Sequence, residues 1–253
     1  MGIHDVAASG FGAGADDYEK GRPSYPADVV DWIVHRLDLR PGRRVVDLAA
    51  GTGKLTRLLV PSGAEVVAVE PVEAMREKLA TTAPGVAAID GTAEDMPFDD
   101  ASVDAVTVAQ AFHWFDAAAA LAEIGRIVRP GGGLALVWNE RDVREPWVAE
   151  LSALIRWDER ERWRVPHTLE VDWGARLGEL DSAFGPAESY PSGFSQTMDP
   201  DLLVARVMSI SYIATYAPTA QADLESQVRA LVAPLGPTFE LPYVTRAWAF
   251  PRR

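Results

Sequence analysis

A short apolar run that ends in a glycine turn constrains the fold of this chain more than any other feature. Residues 44–48 read Arg-Val-Val-Asp-Leu, which is typical of a strand buried on both faces. Gly51 and Gly53 follow, and glycine lets the backbone turn sharply and approach a ligand closely. The segment after the turn contains Leu55, Leu58 and Leu59, whose spacing is typical of the apolar face of a helix. The sequence therefore predicts a strand, a tight turn and a helix in succession.

A second apolar run, residues 65–69, ends in Glu70. Parallel α/β sheets bind ligands at the carboxyl ends of their strands, so the glycine turn and Glu70 are expected side by side. A carboxylate has enough lone pairs to accept hydrogen bonds from both vicinal hydroxyls of a ribose. The two segments together predict a site for an adenosyl cofactor.

The same glycines have three other interpretations. A P-loop needs a glycine where this chain has Leu48 and a hydroxyl residue where it has Leu55, so that interpretation fails. A nicotinamide or flavin fingerprint needs a third small residue at the position of Thr56, which disfavours an oxidoreductase. An ordinary glycine turn in an α/β protein remains open on this motif alone.

Strand and helix signals alternate along the middle of the chain. Strands are predicted at residues 44–48, 65–69, 86–89, 103–108 and 134–138. One helix carries Val72, Met75 and Leu79. A later helix, capped by Asp116 and stopped by Pro130-Gly131, carries Leu121, Ile124, Ile127 and Val128. This alternation predicts an α/β fold with a doubly wound, mostly parallel sheet.

The two ends of the chain are predicted to be helical additions to this sheet. Residues 1–42 are predicted to form a leader with a lid helix that begins at Pro26. This segment precedes the cofactor-binding core (43–140). Residues 141–253 form a helical cap on the substrate side. Its helices are expected around 147–157, 202–215 and 222–232, and its extended stretches at 188–198 and 239–250, the second an antiparallel closing strand.

Composition excludes several classes of function. The 253 residues include 37 acidic and 24 basic side chains, and the net charge of −13 repels a nucleic acid backbone. There is no cysteine, and no apolar segment reaches the length of a membrane span. The four histidines, at positions 4, 35, 113 and 167, are scattered, so no metal site is expected. We expect a cytoplasmic protein without a nucleic acid or membrane partner; the sequence leaves its oligomeric state open.

Four segments in order, residues 45–53, 66–72, 91–114 and 127–139, resemble the class I S-adenosylmethionine-dependent methyltransferases. The leader 18–26 and the run Gln110-Ala-Phe-His-Trp-Phe115 are similar to the branch that includes trans-aconitate methyltransferases. The resemblance implies a Rossmann-like methyltransferase fold, S-adenosylmethionine as cofactor, and a small organic acceptor methylated at oxygen, on a carboxylate or hydroxyl. A binding protein of the same fold without methylating activity is the alternative.

The resemblance also implies roles for individual residues around the methionine part of the cofactor. Asp47 would anchor the amino group, which Ala49 and Gly51 contact through their backbone. Gln110 would receive the ammonium at its carbonyl, while Tyr18 and Arg22 close over the carboxylate. Arg22 could equally pair with a surface carboxylate.

Further residues are implied around the adenosine part. Glu70 would hold the ribose hydroxyls, and the adenine pocket would be formed by Pro71, Val72, Met75, Thr92 and Ala93. Met75 could instead be a core residue, because it shares a helical stripe with Leu79. Thr92 could serve only to shape a turn.

His113 is the candidate catalytic base, because it follows the fourth strand and the unperturbed pKa of a histidine suits proton transfer near neutrality. Its position between two aromatic residues fits a packing role equally well. Three tryptophans are candidates for the acceptor pocket, with packing between cap and sheet as the alternative: Trp114, Trp138 and Trp147.

Overall fold

The computed structural model describes Glu19 and residues 21–157, 171–180, 183–210 and 212–253. The helices of this part are α1 (Ala27–Arg36), α2 (Thr56–Leu59), α3 (Glu73–Thr82), α4 (Ala117–Ile127), α5 (Pro146–Leu154), α6 (Trp173–Gly178), α7 (Pro200–Met208) and α8 (Pro218–Val232). The strands are β1 (Arg44–Leu48), β2 (Glu65–Val69), β3 (Ala87–Ile89), β4 (Val103–Ala109), β5 (Val128–Arg141), β6 (Glu188–Met198) and β7 (Phe239–Pro251).

The described strands form one sheet in the order β3-β2-β1-β4-β5-β7-β6. Strands β1 to β5 pair in parallel; Val45, for example, lies opposite Val66 of β2 and Ala105 of β4. Strand β7 runs antiparallel to β5, because Gly131 bonds to Arg252 while Asp142 bonds to Pro242. The predicted mostly parallel, doubly wound sheet with an antiparallel closing strand is therefore confirmed.

The prediction was wrong at the junction of α4 and β5. Val128 was assigned to the helix, but the helix ends at Ile127 and Val128 begins a strand that pairs with Val103. Ala105 next pairs with Gly133, so the intervening residues bulge out of the ladder. A Cβ on Gly132 would lie 2.2 Å from the carbonyl oxygen of Asp104, so this bulge needs glycine. Pro130-Gly131 therefore lies inside a strand rather than after a helix.

The chain divides into two compact units. The helical unit contains the described residues of 19–23, 140–157 and 193–244, and the α/β unit contains those of 24–139, 171–192 and 245–253. The core of the helical unit joins α5, α7 and α8 to strand residues such as Leu241 and Tyr243. This unit therefore has a hydrophobic core of its own.

Helices cover both faces of the sheet in the α/β unit. Val45 faces a cluster that includes Ile33 of α1, whereas the next residue, Val46, faces a cluster that includes Ile124 of α4. Successive strand residues point to opposite faces, so β1 is buried on both sides. The carboxyl ends of β1, β2 and β4 remain as the edge that can carry polar groups. No helix among the described residues is long and apolar enough to cross a membrane.

Candidate functional site

The polar residues predicted from sequence gather where β1, β2 and β4 end, within the α/β unit. The turn after β1 has a left-handed backbone at Ala49 (φ 54°) and Gly51 (φ 57°), and Gln110 after β4 has φ 60°. Non-glycine residues rarely adopt this conformation, and such strain concentrates at functional sites. The neighbouring strand fixes the turn, because the Ala50 amide donates to the Val69 carbonyl (3.1 Å).

The Glu70 carboxylate joins this turn to the start of α3. Its Oε2 accepts from the Gly51 amide and its Oε1 from the Val72 amide, each at 2.9 Å. Burial raises the pKa of Glu70, while the Val72 and Gly51 amides act in the opposite direction. Each oxygen has used one lone pair, so each can accept one more hydrogen bond.

The space beside Gly51 is open in the described part of the chain. A Cβ built on Gly51 would meet no atom of the described residues within 4 Å, whereas one on Gly53 would lie 3.0 Å from Cγ of Leu79. Gly53 thus packs against α3 and Gly51 borders a free volume. A ligand with two hydroxyl donors fits this arrangement of open space and acceptors.

The Asp47 carboxylate is buried, with 1% of its surface exposed. Its Oδ2 accepts from the Thr56 hydroxyl (2.6 Å) and its Oδ1 from the Thr107 hydroxyl (2.9 Å). Burial raises the pKa of Asp47 to about 6, although both threonines act to lower it and Glu70 adds a smaller upward contribution. Asp47 therefore ties β1 to β4 and α2.

Sequence reasoning missed Thr56 and Thr107 as partners of Asp47. Both are fully buried, and a buried hydroxyl requires a hydrogen-bond partner. Thr107 lies on a strand that aligns Asp47 with it directly. Thr107 could have been noticed as the isolated hydroxyl residue within an apolar strand. Its partner could not be identified from sequence, because it depends on the register between β1 and β4.

The residues predicted around adenine have different degrees of exposure. Pro71 and Val72 are partly exposed, while Met75 and Ala93 are buried at 2% and 3% exposure. Thr92 pairs with Asp95 through reciprocal backbone hydrogen bonds of 3.2 and 3.4 Å, which makes it part of a tight turn.

Gln110 links the end of β4 to β5. Its amide donates to the Val137 carbonyl (2.9 Å) and its Nε2 to the Asn139 carbonyl (2.9 Å). Asn139 in turn donates to the Ser24 carbonyl (2.9 Å) and accepts from Thr245 (2.6 Å). This network holds Gln110 in its left-handed conformation.

His113 lies in a short 3₁₀ turn, Phe112–Trp114, directly after Gln110 and Ala111. Its Nδ1 accepts from Nε1 of Trp138 at 3.4 Å, and its ring lies 4.8 Å from that of Trp114. Trp138 is fully buried and stacks on Trp173 at 4.7 Å, so its ring is part of the core. Trp114 is partly exposed.

The remaining predicted residues belong to the helical unit or fall outside the described part. Arg22 and Trp147 belong to the helical unit, where Arg22 donates to the Ser209 carbonyl (3.4 Å) and Trp147 packs edge-to-face on Phe239 (5.4 Å). Tyr18 lies outside the described residues.

A separate cavity of about 530 Å³ opens at the amino ends of β1, β2 and β4. Its buried Asp104 pairs with Arg43 (2.5 Å) and Arg129 (3.2 Å). Ligands bind at the opposite, carboxyl ends in open α/β sheets, so we assign this ion-pair cluster a structural role. Across the described ranges, no group of three histidine, cysteine or acidic residues could hold a metal ion.

Comparison with known proteins gives consistent matches. A family model described as a methyltransferase domain matches residues 46–136. An uncharacterized methyltransferase of Mycobacterium tuberculosis is 42% identical over 224 residues, which cover 88% of this chain and 85% of that protein.

Solved structures with the same fold agree with these matches. A protein of Anaeromyxobacter dehalogenans, assigned as a type II methyltransferase, aligns with a TM-score of 0.65 and 27% identity over 92% of this chain and 97% of that one. Phosphoethanolamine N-methyltransferase 2 of Haemonchus contortus, solved with S-adenosylhomocysteine, aligns over 100% of this chain and 60% of its own, with a TM-score of 0.59. Its 16% identity indicates likeness of fold alone.

The raised pKa of Asp47 predicts how stability depends on pH. The folded state binds this proton more tightly than the unfolded state, so stability is lost as the pH rises from about 4 to about 6. Asp47→Asn removes the buried charge and keeps a side chain that can bond both threonines. Above pH 6 we expect this variant to be more stable without ligand, by at most about 3 kcal/mol, and the difference to vanish near pH 4. Urea denaturation across this pH range measures it.

The matched control is Asp31→Asn, which changes an exposed aspartate on α1. It should leave the pH profile of stability unchanged. If Asp47→Asn were less stable than the parent protein near neutral pH, the charged carboxylate would be a net stabilising group.

Proposed function

This chain belongs to the class I S-adenosylmethionine-dependent methyltransferases, and from that premise we propose that it methylates a small organic acceptor at oxygen, on a carboxylate or hydroxyl. The cofactor site would be the one at the carboxyl ends of β1, β2 and β4. The Glu70 carboxylate is the observation that carries the assignment of this site. It is fixed by two backbone amides, retains one acceptor position on each oxygen, and bonds to Gly51, which borders open space among the described residues.

The residues of this site fit the chemical groups of S-adenosylmethionine. Glu70 would accept from the two ribose hydroxyls, and Asp47 offers a carboxylate to the positively charged amino end of the methionine part. Val72 and Met75 lie two and five positions after Glu70 and would supply apolar contact to the adenine. The structure of the Haemonchus contortus enzyme with S-adenosylhomocysteine supports cofactor use in this fold.

The bound cofactor supplies an activated methyl group, whose bond to the positively charged sulfur breaks as its bond to the acceptor oxygen forms. This chain would contribute alignment and exclusion of water. The strained backbone at Ala49 and Gln110 is held by hydrogen bonds to neighbouring strands, so the donors and acceptors of the site are positioned before ligands bind.

Oxygen acceptors of low pKa suit the surroundings of His113. A neutral imidazole that accepts at Nδ1 carries its proton on Nε2, so in this tautomer Nε2 donates and cannot remove a proton. A carboxylate acceptor is already ionised and needs no base. The net charge of −13 also disfavours nucleic acid as the acceptor.

Incubation with methyl-labelled S-adenosylmethionine tests the proposed acceptor class. The panel comprises small carboxylic acids, phenols, alcohols, amines, RNA and DNA. We expect label on oxygen of a small acid or hydroxyl compound and none on nucleic acid. Transfer to an amine, or to RNA, would overturn the assignment to oxygen.

Replacement of Glu70 tests the cofactor site. Glu70→Gln keeps the shape of the side chain but removes the charge and one pair of acceptor positions. Because hydrogen bonds to charged groups contribute about 1.5–3 kcal/mol, we expect the affinity for S-adenosylmethionine to fall by about tenfold or more. Titration calorimetry measures it, with Glu73→Gln, an exposed neighbour on α3, as the control. Equal affinities of both variants would place the ribose elsewhere.

Removal of the His113 imidazole tests its part in turnover. Because the protonated Nε2 of this tautomer could donate a hydrogen bond that positions the acceptor, we expect His113→Ala to lower kcat by about tenfold to a hundredfold, while the affinity for S-adenosylmethionine changes much less. The control is His35→Ala, which changes an exposed histidine on α1. Initial rates with the labelled cofactor measure the effect, and an unchanged kcat would remove His113 from catalysis.

A further inference from the structure

Two buried arginines in the helical unit have polar atoms without a partner among the described residues. Arg141, the last residue of β5, is 9% exposed, and Arg206 of α7 is 6% exposed. The Nε of both residues and Nη1 of Arg206 are buried and donate no hydrogen bond to any described residue. The buried hydroxyl of Tyr243, on β7, also has no hydrogen-bond partner among the described residues. These three side chains therefore present unused donors inside one unit.

Such a cluster is costly in the free protein. Buried cations are normally paired with carboxylates, because desolvation of an unpaired charge is strongly unfavourable. Within the part of the chain that the structure describes, neither Arg141 nor Arg206 forms an ion pair with a carboxylate, unlike surface Arg229, which contacts Asp201 and Glu225. An anion would satisfy these donors and compensate the buried charge.

The positive charges of the two arginines lie close enough to affect each other. Burial and then the charge of Arg206 lower the pKa of Arg141 to about 10, and Tyr243 acts in the opposite direction. Like charges held together in this way attract an anion strongly when one binds between them.

Packing holds these donors in place from several sides. The Arg141 guanidinium lies over the Trp157 ring at 4.6 Å, and the Tyr243 ring stacks on Phe194 at 5.2 Å. The backbone of Arg206 is packed so tightly on Gly21 that a Cβ on Gly21 would lie 2.8 Å from its Cα. Rigid donors lose little entropy when a ligand binds.

We propose that Arg141, Arg206 and Tyr243 form a binding site for an oxyanion, a carboxylate or a phosphate ester, carried by the methyl acceptor. Guanidinium groups bind both oxyanions through paired hydrogen bonds, and the tyrosine hydroxyl can add a third donor. This inference rests on the proposed methyl transfer, since it names the acceptor class. It restricts the acceptors to molecules with an anionic group. This group either contains the oxygen that is methylated or lies elsewhere in the same molecule.

Calorimetric titration of the full chain with succinate, methyl phosphate and the neutral analogue succinamide tests the site. We expect one or both anions to bind and succinamide not to bind; the preferred anion distinguishes carboxylate from phosphate ester. Arg141→Met and Arg206→Met should each weaken anion binding by about thirtyfold or more, because one partner of a buried charge pair is lost. Arg229→Met, which removes a surface arginine of the same unit, should bind as the parent does.

Thermal unfolding separates a binding role from a structural one. Arg206→Met removes a buried cation without a partner, so the ligand-free variant should unfold at the same temperature as the parent or a higher one. The bound anion should raise the unfolding temperature of the parent but not of Arg206→Met. A variant that is less stable and retains anion binding would overturn the proposal.

Two outcomes of titration would also overturn it: no binding of either anion at tens of millimolar, or equal losses in Arg229→Met and Arg206→Met. The affinity for S-adenosylmethionine, measured on the same preparations, keeps the proposed function separate. A protein that binds this cofactor and methylates neutral acceptors as well as acidic ones refutes the oxyanion site alone. A protein that binds the anions but never the cofactor refutes the proposed function alone.

Discussion

The pair of hydrogen bonds accepted by Glu70 is the interaction on which the site depends. It connects the turn after β1 with the start of α3, because Gly51 and Val72 donate to the two oxygens of one carboxylate. The left-handed residues of the turn are thereby fixed before any ligand arrives, and the same oxygens remain able to accept further hydrogen bonds. A side chain that shapes the turn and also binds the ligand tolerates few replacements.

Much of the α/β unit could be predicted because its signals are local. Strands β1 and β2 begin and end where their apolar runs do. Asp116 caps α4 as predicted, because its carboxylate accepts a hydrogen bond from the Ala119 amide. The junction at Val128 could not be predicted, since a β-branched residue fits either pattern and the bulge depends on pairing with Val103. The prediction for Glu70 rested on position alone; its bond to Gly51 required the parallel register of β1 and β2.

The two units treat buried charge in opposite ways. Asp47 and Glu70 in the α/β unit are buried carboxylates whose oxygens all accept hydrogen bonds from the chain. Arg141 and Arg206 in the helical unit are buried cations that retain unpaired donors. Sequence reasoning could not identify these arginines, because charge and spacing alone do not distinguish a buried arginine from one that pairs on the surface, as Arg229 does.

The chain passes repeatedly between its two units, and the helical unit is assembled from separated stretches, among them 140–157 and 193–244. The helical unit cannot be exchanged as one contiguous segment, as a domain can in proteins whose domains follow one another along the chain. Recombination of the genes of two relatives in the laboratory meets the same restriction. Crossovers within β5 or β7 would join strand segments from two proteins that have not evolved together.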